Sequence, residues 1–526
     1  MPNPAANGDK IVATHPTLAL QLPPVGKKFY ITTAIDYVNG QPHLGHAYEK
    51  IITDVIARAR LCLGDEAFYL TGLDEHGQKV QQAAEAAGKD PRAYCDELAV
   101  DWQAFVEKLG LCNHDFVRTT DDAHQKVVQQ ILQQFYAADE FYEDEYIGFY
   151  SAKQESFLTE HDRNDDGEFD PIYGEVTELK EKNYYFKLGR HQQWLIDHIE
   201  ANPDFIAPDY RRNEVLGFLK NETLDDLCIS RPRARLTWGI PLPFDADYVT
   251  YVWFDALVNY LSIPRSRGEE AELWPADIHV IGKDILKFHA VYWPIMLKAA
   301  GLALPKQVLV HGWWQKDGEK MSKSTGNVVD PITVIDDWGL DAFRYYVVRE
   351  LAIGPDGNWT DEGFAARYHA ELANSLGNLV NRSLSMLQRY RDGIVPPPHD
   401  DLAAEATATR DKLLEQLNKN QLQSGLQTIW AFVARMNQYV DETAPFKLAK
   451  DPEQAERLGE VLYNLAEGCR LLAVWLQPYL PSTSQRIMEQ LNLPADMVNI
   501  AESGWGELKA GHKVGEPEAL FPRRDK

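Results

Sequence analysis

A chain of 526 residues with 44% hydrophobic and 11% aromatic content has material for roughly three to four domain-sized units with packed cores, which excludes a disordered chain. No run of eighteen apolar residues occurs, so a membrane-spanning helix is excluded; the formal net charge of -26 excludes bulk attraction to nucleic acid while leaving room for a local basic patch. The five cysteines, Cys62, Cys95, Cys112, Cys228 and Cys469, never form C-x-x-C, so neither a disulfide framework nor a cysteine-based zinc knuckle is expected.

Residues 1–27 lack the ordered charged, apolar and small-residue regions of a signal peptide, and they read as a disordered tail on a cytoplasmic protein. From Lys28, "FYITTAIDYVNG" alternates and ends in Asn39 and Gly40, which predicts a strand running into a turn. In "HLGHAYEKIITDVIARARLCLG" apolar residues recur at Ile51, Ile52, Val55, Ile56 and Ala59 and the pattern stops at Gly64, which predicts a helix. A second strand follows in "EAFYLTGLDEHG", and strand, turn, helix, strand is the βαβ opening of a parallel sheet, assigned here to residues 28–137. Residues 138–225 are acidic, aromatic and rich in turns, as an inserted module would be. The α/β pattern resumes over 226–300 with "YVTYVWFDALVNYL" and "DIHVIGKDILKFHAVYWPIML", and 301–363 carries "QVLVHGWW" and a polar, lysine-bearing loop. From 364 to 526 strands are hard to find, and amphipathic stretches such as "LQTIWAFVARMNQYVDE" predict a helical bundle.

Two stretches carry chemistry. "PHLGHAYEKI" sets His43 and His46 three apart near a helix N-terminus, where unpaired N–H groups and the positive end of the dipole favour anions. Imidazoles there can donate to phosphate oxygens, and Gly45 lets a large planar ligand approach the backbone. A metal reading would add Glu49 as third ligand, although helical zinc pairs are usually spaced i, i+4; a satisfied histidine pair is the plain alternative. The other stretch, "DGEKMSKSTGNVVDP", places Lys320 and Lys323 in a polar segment that does not fit a P-loop but could close over a polyphosphate; its plain alternative is a solvated turn.

H-x-G-H in the first half of an α/β fold, followed far downstream by K-M-S-K-S, resembles the signature pair of the class I aminoacyl-tRNA synthetases. "YVNGQPHLGHAYE", "LTGLDEHGQK", "ISRPRARL", "YVWFDA", "IGKDILKFHAVYWP" and "KMSKSTGN" resemble the methionyl-tRNA synthetase family, and the likeness runs from about Phe29 to the C-terminus. The resemblance implies a Rossmann-type parallel-sheet catalytic domain with an inserted connective module, a stem-contact region at 301–363 holding the lysine loop, and an all-α anticodon-binding bundle. It implies activation of L-methionine with ATP to methionyl-adenylate, then transfer to the terminal ribose of tRNA(Met), with initiator and elongator forms as partners, and Mg²⁺ on the phosphates. A carboxylate nucleophile needs no general base, so His43, His46, Lys320 and Lys323 would act by positioning and charge stabilisation. The family likeness places ATP against His43, Gly45, His46, Glu49, Asp284 and Lys323, and methionine against Ile35, Tyr37, Asp74, Trp253, His289 and Trp293; Asp74 would hold the amino group and Arg231 is the basic residue of the site. Asn378, Arg382 and Phe446 match the anticodon-reading positions, although the usual tryptophan is here a phenylalanine.

Two features depart from the family pattern. "YSAKQE" puts Ser151 and Gln154 where many relatives have zinc-binding cysteines, so no structural zinc is expected. The run "DRNDDGEFDPIY", 162–173, approaches an EF-hand loop but ends in Tyr173 and contains Pro171, and is read as a solvated acidic turn. The C-terminus "PEALFPRRDK" lacks the extra tRNA-binding domain that makes some relatives dimers, so a monomer is expected. Rival readings are a small-molecule nucleotidyltransferase, which would not need the helical third of the chain, and a non-catalytic RNA-binding module, which would not need His43, His46 and Lys323.

Overall fold

The computed structural model describes residues 26–38, 40–151, 156–158, 163–164, 166–321, 327–495 and 499–524, without the side chains of Tyr146, Ile147, Ser156, Phe157, Leu179 and Lys320. The predicted tail up to residue 25, Gln154, Asp162 and Lys323 therefore lie outside the described residues.

The alternation in "KFYITT" forms strand β1 (Lys28–Thr33), continued after a kink by β2 (Asp36–Tyr37). Helix α1 (Leu44–Cys62) then crosses to β3 (Glu66–Asp74), and β4 (Asp115–Arg118) pairs along the far side of β3. The insert contributes β5 (Phe141–Ser151), β6 (Ser156–Leu158), β7 (Val176–Phe186), β8 (Ile206–Ala207) and β9 (Leu227–Cys228). Then come β10 (Ser230–Pro232), β11 (Pro241–Leu242) and β12 (Asp245–Thr250), which form a small antiparallel sheet, followed by β13 (Ile278–Gly282) and β14 (Gln307–His311). β3, β1, β13, β14 and β8 are neighbours in that order and all pair in parallel. The chain leaves β1 toward β3 on one side and returns as β13 on the other, so the strand order reverses between β1 and β13. In open parallel sheets that reversal opens a crevice at the carboxyl ends of the strands, here at Ala34 to Tyr37 and at Gly282 to Asp284.

The segment predicted as one insert, 138–225, divides. β5, β6, β7 and β9 make an antiparallel sheet, whereas β8 belongs to the edge of the catalytic sheet through β14. A strand of two residues carries too little alternation to be recognised in the sequence. Downstream, β15 (Trp314–Lys316), β16 (Glu319–Lys320) and β17 (Gly357–Trp359) form a three-stranded sheet whose β16 leads into the lysine loop. The remainder is helical, with long helices at Asn378–Arg391, Ala403–Asn418, Leu422–Thr443, Ala455–Leu476 and Pro481–Gln490; the "VPPPHD" run joins the first two. The helix Ala455–Leu476 is buried without interruption from Val461 to Leu476 and forms the axis of the bundle. Among the described residues no helix is long and apolar enough to cross a membrane.

One hydrophobic core runs from α1 and β1 into this bundle, through Ile51, Val55, Phe343, Leu384, Leu426 and Trp475. α1 is therefore buried on nearly every side, including at Glu49, Lys50, Asp54 and Arg58. Charges in such a place must be paired. Asp54 accepts from Arg58 Nε at 2.7 Å, from Arg344 Nη2 at 2.6 Å and from the Cys112 amide at 2.6 Å. Burial alone would raise its pKa, but the two guanidinium groups and the amide outweigh it and hold the carboxyl below its usual range. Arg344 also donates from Nε to the Tyr479 carbonyl at 2.9 Å, so the cluster ties the catalytic helix to the bundle. Asp54→Asn leaves both guanidinium groups without a charged partner; it is expected to lower stability by about 3–5 kcal/mol, read as a drop in the denaturant midpoint relative to wild type.

Candidate active site

The crevice is a cavity of about 1720 Å³ between the carboxyl ends of the parallel strands and the insert. Its wall includes Ile35, Tyr37, His43, Gly45, His46, Glu49, Asp74, Arg231, Trp253, Asp284 and His289, residues scattered over more than 250 positions of sequence.

At one end stands the N-terminus of α1. The histidines were expected together on one helical face, but the helix begins at Leu44 and His43 is its extended N-cap. His43 Nδ1 accepts the Gly45 amide at 3.1 Å, and His46 Nδ1 accepts the His43 amide at 3.1 Å, a reciprocal capping box built from imidazoles. Because both Nδ1 atoms are acceptors, the proton of each neutral ring sits on Nε2. The rings stack with centroids 3.7 Å apart, and Trp102 meets His46 edge-on at 5.0 Å. A Cβ on residue 45 would lie 3.0 Å from His43 Cε1, so glycine leaves that ring its place.

The same helix holds the flanking carboxylates. Lys50 Nζ, fully buried, binds Asp36 Oδ2, and Asp36 Oδ1 lies 3.9 Å from His46 Nε2. Burial pushes the Asp36 carboxyl up to about 6 despite Lys50. Glu49 Oε2 lies 3.0 Å from His311 Nε2, and His311 Nδ1 donates to the Gly312 carbonyl at 2.8 Å. Burial disfavours a charged ring there, but Glu49 outweighs it and raises the ring's pKa. Glu49 thus has a histidine partner on β14.

Elsewhere on the wall the polar groups are mostly neutral, with Asp74 and Arg231 the buried charges. His289 Nδ1 donates to the Ile285 carbonyl at 3.0 Å, leaving Nε2 to accept from the Tyr260 hydroxyl at 2.7 Å; burial lowers its pKa to about 4. Trp253 stacks face to face on Phe288 with centroids 3.7 Å apart. Asp74, at the end of β3, pairs in register with Tyr37 and is buried. Trp293 is 1% exposed and does not line the cavity: its indole N–H donates to His279 Nε2 at 3.3 Å, one layer behind Tyr260 and His289. Tyr260, Asp36, His311 and Trp313, which do line it, escaped the sequence reading. Tyr260 was within reach, since it follows Trp253 inside the quoted "YVWFDALVNYL". Arg231 is buried at the insert side, donating to the Ser230 carbonyl at 2.7 Å with its guanidinium 4.9 Å from the Tyr251 ring centre. Asp284 Oδ1 accepts from Trp313 Nε1 at 3.1 Å. Lys320 belongs to β16, its side chain undescribed, and Lys323 lies outside the described residues.

The remaining expected residues are elsewhere. Asn378 opens its helix on the surface, and Arg382 donates to Asn437 at 3.2 Å and faces Asp441 at 3.6 Å. Phe446, 48% exposed, follows the same helix that carries Asn437 and Asp441. In the insert, Ser151 Oγ donates to the Tyr173 carbonyl at 2.5 Å, and Asn164 Oδ1 caps the amides of Asp166 and Glu168. Among the described residues no group of three or more His, Cys, Asp or Glu could hold a metal ion.

A family model described as "tRNA synthetases class I (M)" matches residues 29–165 and 170–384, and "Anticodon binding domain of methionyl tRNA ligase" matches 393–525. The methionine–tRNA ligase of Clostridium acetobutylicum is 43% identical over 509 residues, covering 95% of this chain and 78% of its own. That of Rhizobium meliloti is 42% identical over 510 residues, covering 94% of this chain and 98% of its own. The Mycobacterium tuberculosis methionyl-tRNA synthetase in complex with methionyl-adenylate matches with a TM-score of 0.89 at 40% identity, over 94% of this chain and 100% of that one. A parallel sheet with its crevice at the strand reversal, a histidine-capped helix at the mouth and a helical bundle behind it agree with these matches, and the chain belongs to the methionyl-tRNA synthetases, class I ligases that join methionine to tRNA.

Proposed function

We propose that the cavity divides its work between the α1 N-terminus, which takes ATP, and a mostly apolar wall with one carboxylate, which takes methionine. The observation that carries this reading is the tautomer lock: with both Nδ1 atoms engaged by backbone amides, His43 and His46 keep Nε2–H as donors at a helix N-terminus, a site suited to phosphate oxygens. Methionine's thioether asks for shape more than polarity, and Ile35, Tyr37, Trp253 and neutral His289 supply it, with Asp74 for the ammonium group. Trp293 takes part from behind, through Tyr260 and His289. The carboxylate of methionine attacks the α-phosphate of ATP, forming the mixed anhydride and releasing pyrophosphate; the tRNA ribose hydroxyl then displaces AMP. Neither step needs a nucleophile from the chain. Glu49, Asp284 and the lysines at 320 and 323 act on the nucleotide, and Arg231 on the insert side. Mg²⁺ is expected to arrive on the ATP phosphates, where it neutralises charge, because the described residues offer no cage of their own.

The domain division follows the same reading: catalytic segments 28–137 and 226–300 with β8, stem contact at 301–363, and anticodon binding from 364 onward. Asn378, Arg382 and Phe446 are proposed to read the anticodon of both initiator and elongator tRNA(Met). A cytoplasmic monomer is proposed in view of five free cysteines and the large net charge.

Three outcomes are expected. Lys323→Ala should cut methionine-dependent exchange of labelled pyrophosphate into ATP by roughly a hundred-fold or more while methionine affinity stays near wild type; unchanged exchange would remove the loop from the mechanism. Phe446→Ala should lower kcat/KM for tRNA by about 1–3 kcal/mol with the exchange reaction untouched. For His311 the sign follows from its raised pKa: its pairing with Glu49 adds stability that is fully present below the unfolded value of about 6.5 and is lost as pH rises through the folded value. The midpoint difference between wild type and His311→Gln should therefore shrink as pH rises above the usual imidazole range; a difference that grows with pH would refute the raised pKa.

A further inference from the structure

Behind the pocket wall lies a buried hydrogen-bonded pair that is not part of the cavity lining. His76 Nδ1 and Asp255 Oδ2 are 3.0 Å apart, with His76 3% and Asp255 0% exposed. His76 stands two residues after Asp74, beyond the end of β3. Asp255 stands two residues after Trp253, on the short helix Val252–Leu257. The bond thus joins two segments 179 residues apart, each of which carries one wall of the pocket.

We propose that His76 and Asp255 are positioning residues for methionine: their bond sets the distance between the Asp74 carboxylate and the Trp253 ring. This rests on reading Asp74 and Trp253 as methionine-binding. The sheet side is anchored independently. Glu75, fully buried, takes the Thr120 hydroxyl and Arg118 Nε, the latter at 2.6 Å, and its amide donates to Thr119 Oγ1 at 2.9 Å. Trp238 closes over this segment, its indole N–H donating to the Glu75 carbonyl and its ring edge-on to His76 at 5.4 Å. Against that fixed side, His76 reaches across to the helix. Asp255 gives one oxygen to His76, and its other oxygen is buried with no hydrogen-bond partner among the described residues. Burial raises the Asp255 pKa, and His76 partly offsets the rise. A buried pair of this kind adds little stability over apolar side chains of the same volume. What it adds is direction: a hydrogen bond fixes separation and angle where packing alone would let the walls drift. An error of about 1 Å in such a site can cost a hundred-fold in rate or binding.

The test uses the full-length enzyme in methionine-dependent pyrophosphate exchange, with KM for methionine and for ATP measured separately and folding followed by thermal melting. His76→Asn places an amide N–H near the Nδ1 position, whereas His76→Gln, of similar polarity, places it near Nε2 and away from Asp255. His76→Asn is expected to keep the methionine KM within a few-fold of wild type. His76→Gln and Asp255→Ala should raise it roughly ten- to hundred-fold with the ATP KM within about two-fold. Equal behaviour of the Asn and Gln variants overturns the proposal, as does a parallel rise in both KM values, which would mark general damage. Asp74→Asn separates the two layers of inference. If it leaves the methionine KM unchanged, the assignment of the pocket itself falls; if it raises that KM while His76→Gln does not, the positioning role alone falls.

Discussion

The structure depends on burying a charged helix. α1 must present its N-terminus to the crevice and pack its flank against both the parallel sheet and the helical bundle, so its polar residues cannot face water. Each therefore finds a partner on a different element: Lys50 on Asp36 of β2, Glu49 on His311 of β14, Asp54 on Arg344 of the helix Leu340–Glu350. Removing one member of such a pair is far more destabilising than the pair is stabilising, which makes the arrangement specific. The helix can sit in one register and one rotation only. That rotation is what aims His43 and His46 at the mouth of the cavity.

The cavity's electrostatics follow from where burial is compensated and where it is not. Along α1, Glu49 raises the pKa of His311 and Lys50 pairs with Asp36. Around Tyr260 and Trp293, burial wins. His289 is held neutral by lost hydration, and its neighbour His279 is pushed well below the usual imidazole range for the same reason. His279 Nε2 accepts from Trp293, so its Nδ1 donates to Thr32 Oγ1 at 2.8 Å, a closed chain of neutral groups behind the pocket. A wall with paired charges along α1 and neutral imidazoles beside Tyr260 needs no catalytic nucleophile to be useful. It supplies position and charge, which is what an anhydride-forming displacement requires.

Much of this was legible in the sequence, and what was not has a physical reason. The βαβ opening, α1 and the helical C-terminal third announced themselves through period and length, because long amphipathic elements repeat their pattern many times. β8 did not, since two residues hold no period. The histidine pair was legible as standing at a helix N-terminus, but not that His43 would cap the helix rather than ride on it. Capping depends on where the first turn closes, and the imidazole does here what a serine or aspartate usually does. Trp293 was expected in the pocket and stands behind it, next to a π-helical turn, Phe288–Tyr292, whose altered hydrogen bonding has no sequence signature. Asp36, His311 and Trp313 acquire their meaning only from partners brought to them by the fold, some from hundreds of residues away.

The cavity wall at Asp284 is joined to the β15–β16 hairpin by contacts of the same long-range kind. Trp313, whose indole holds Asp284, donates its own amide to Asp356 at 2.8 Å, and Lys283 binds both Asp356 oxygens while standing 4.2 Å above the Trp313 ring. Asp356 immediately precedes β17, which runs parallel to β15, and β15 pairs with β16 at Lys320. The approach is close: a Cβ on Gly312 would fall 2.1 Å from the Pro355 carbonyl oxygen, so only glycine lets the two segments meet. The hairpin that delivers Lys320 is therefore registered, through backbone pairing and one indole, against the acid at the end of β13. The strand that carries Lys320 is thus held in register with the cavity wall at Asp284 by contacts made some forty residues further along the chain.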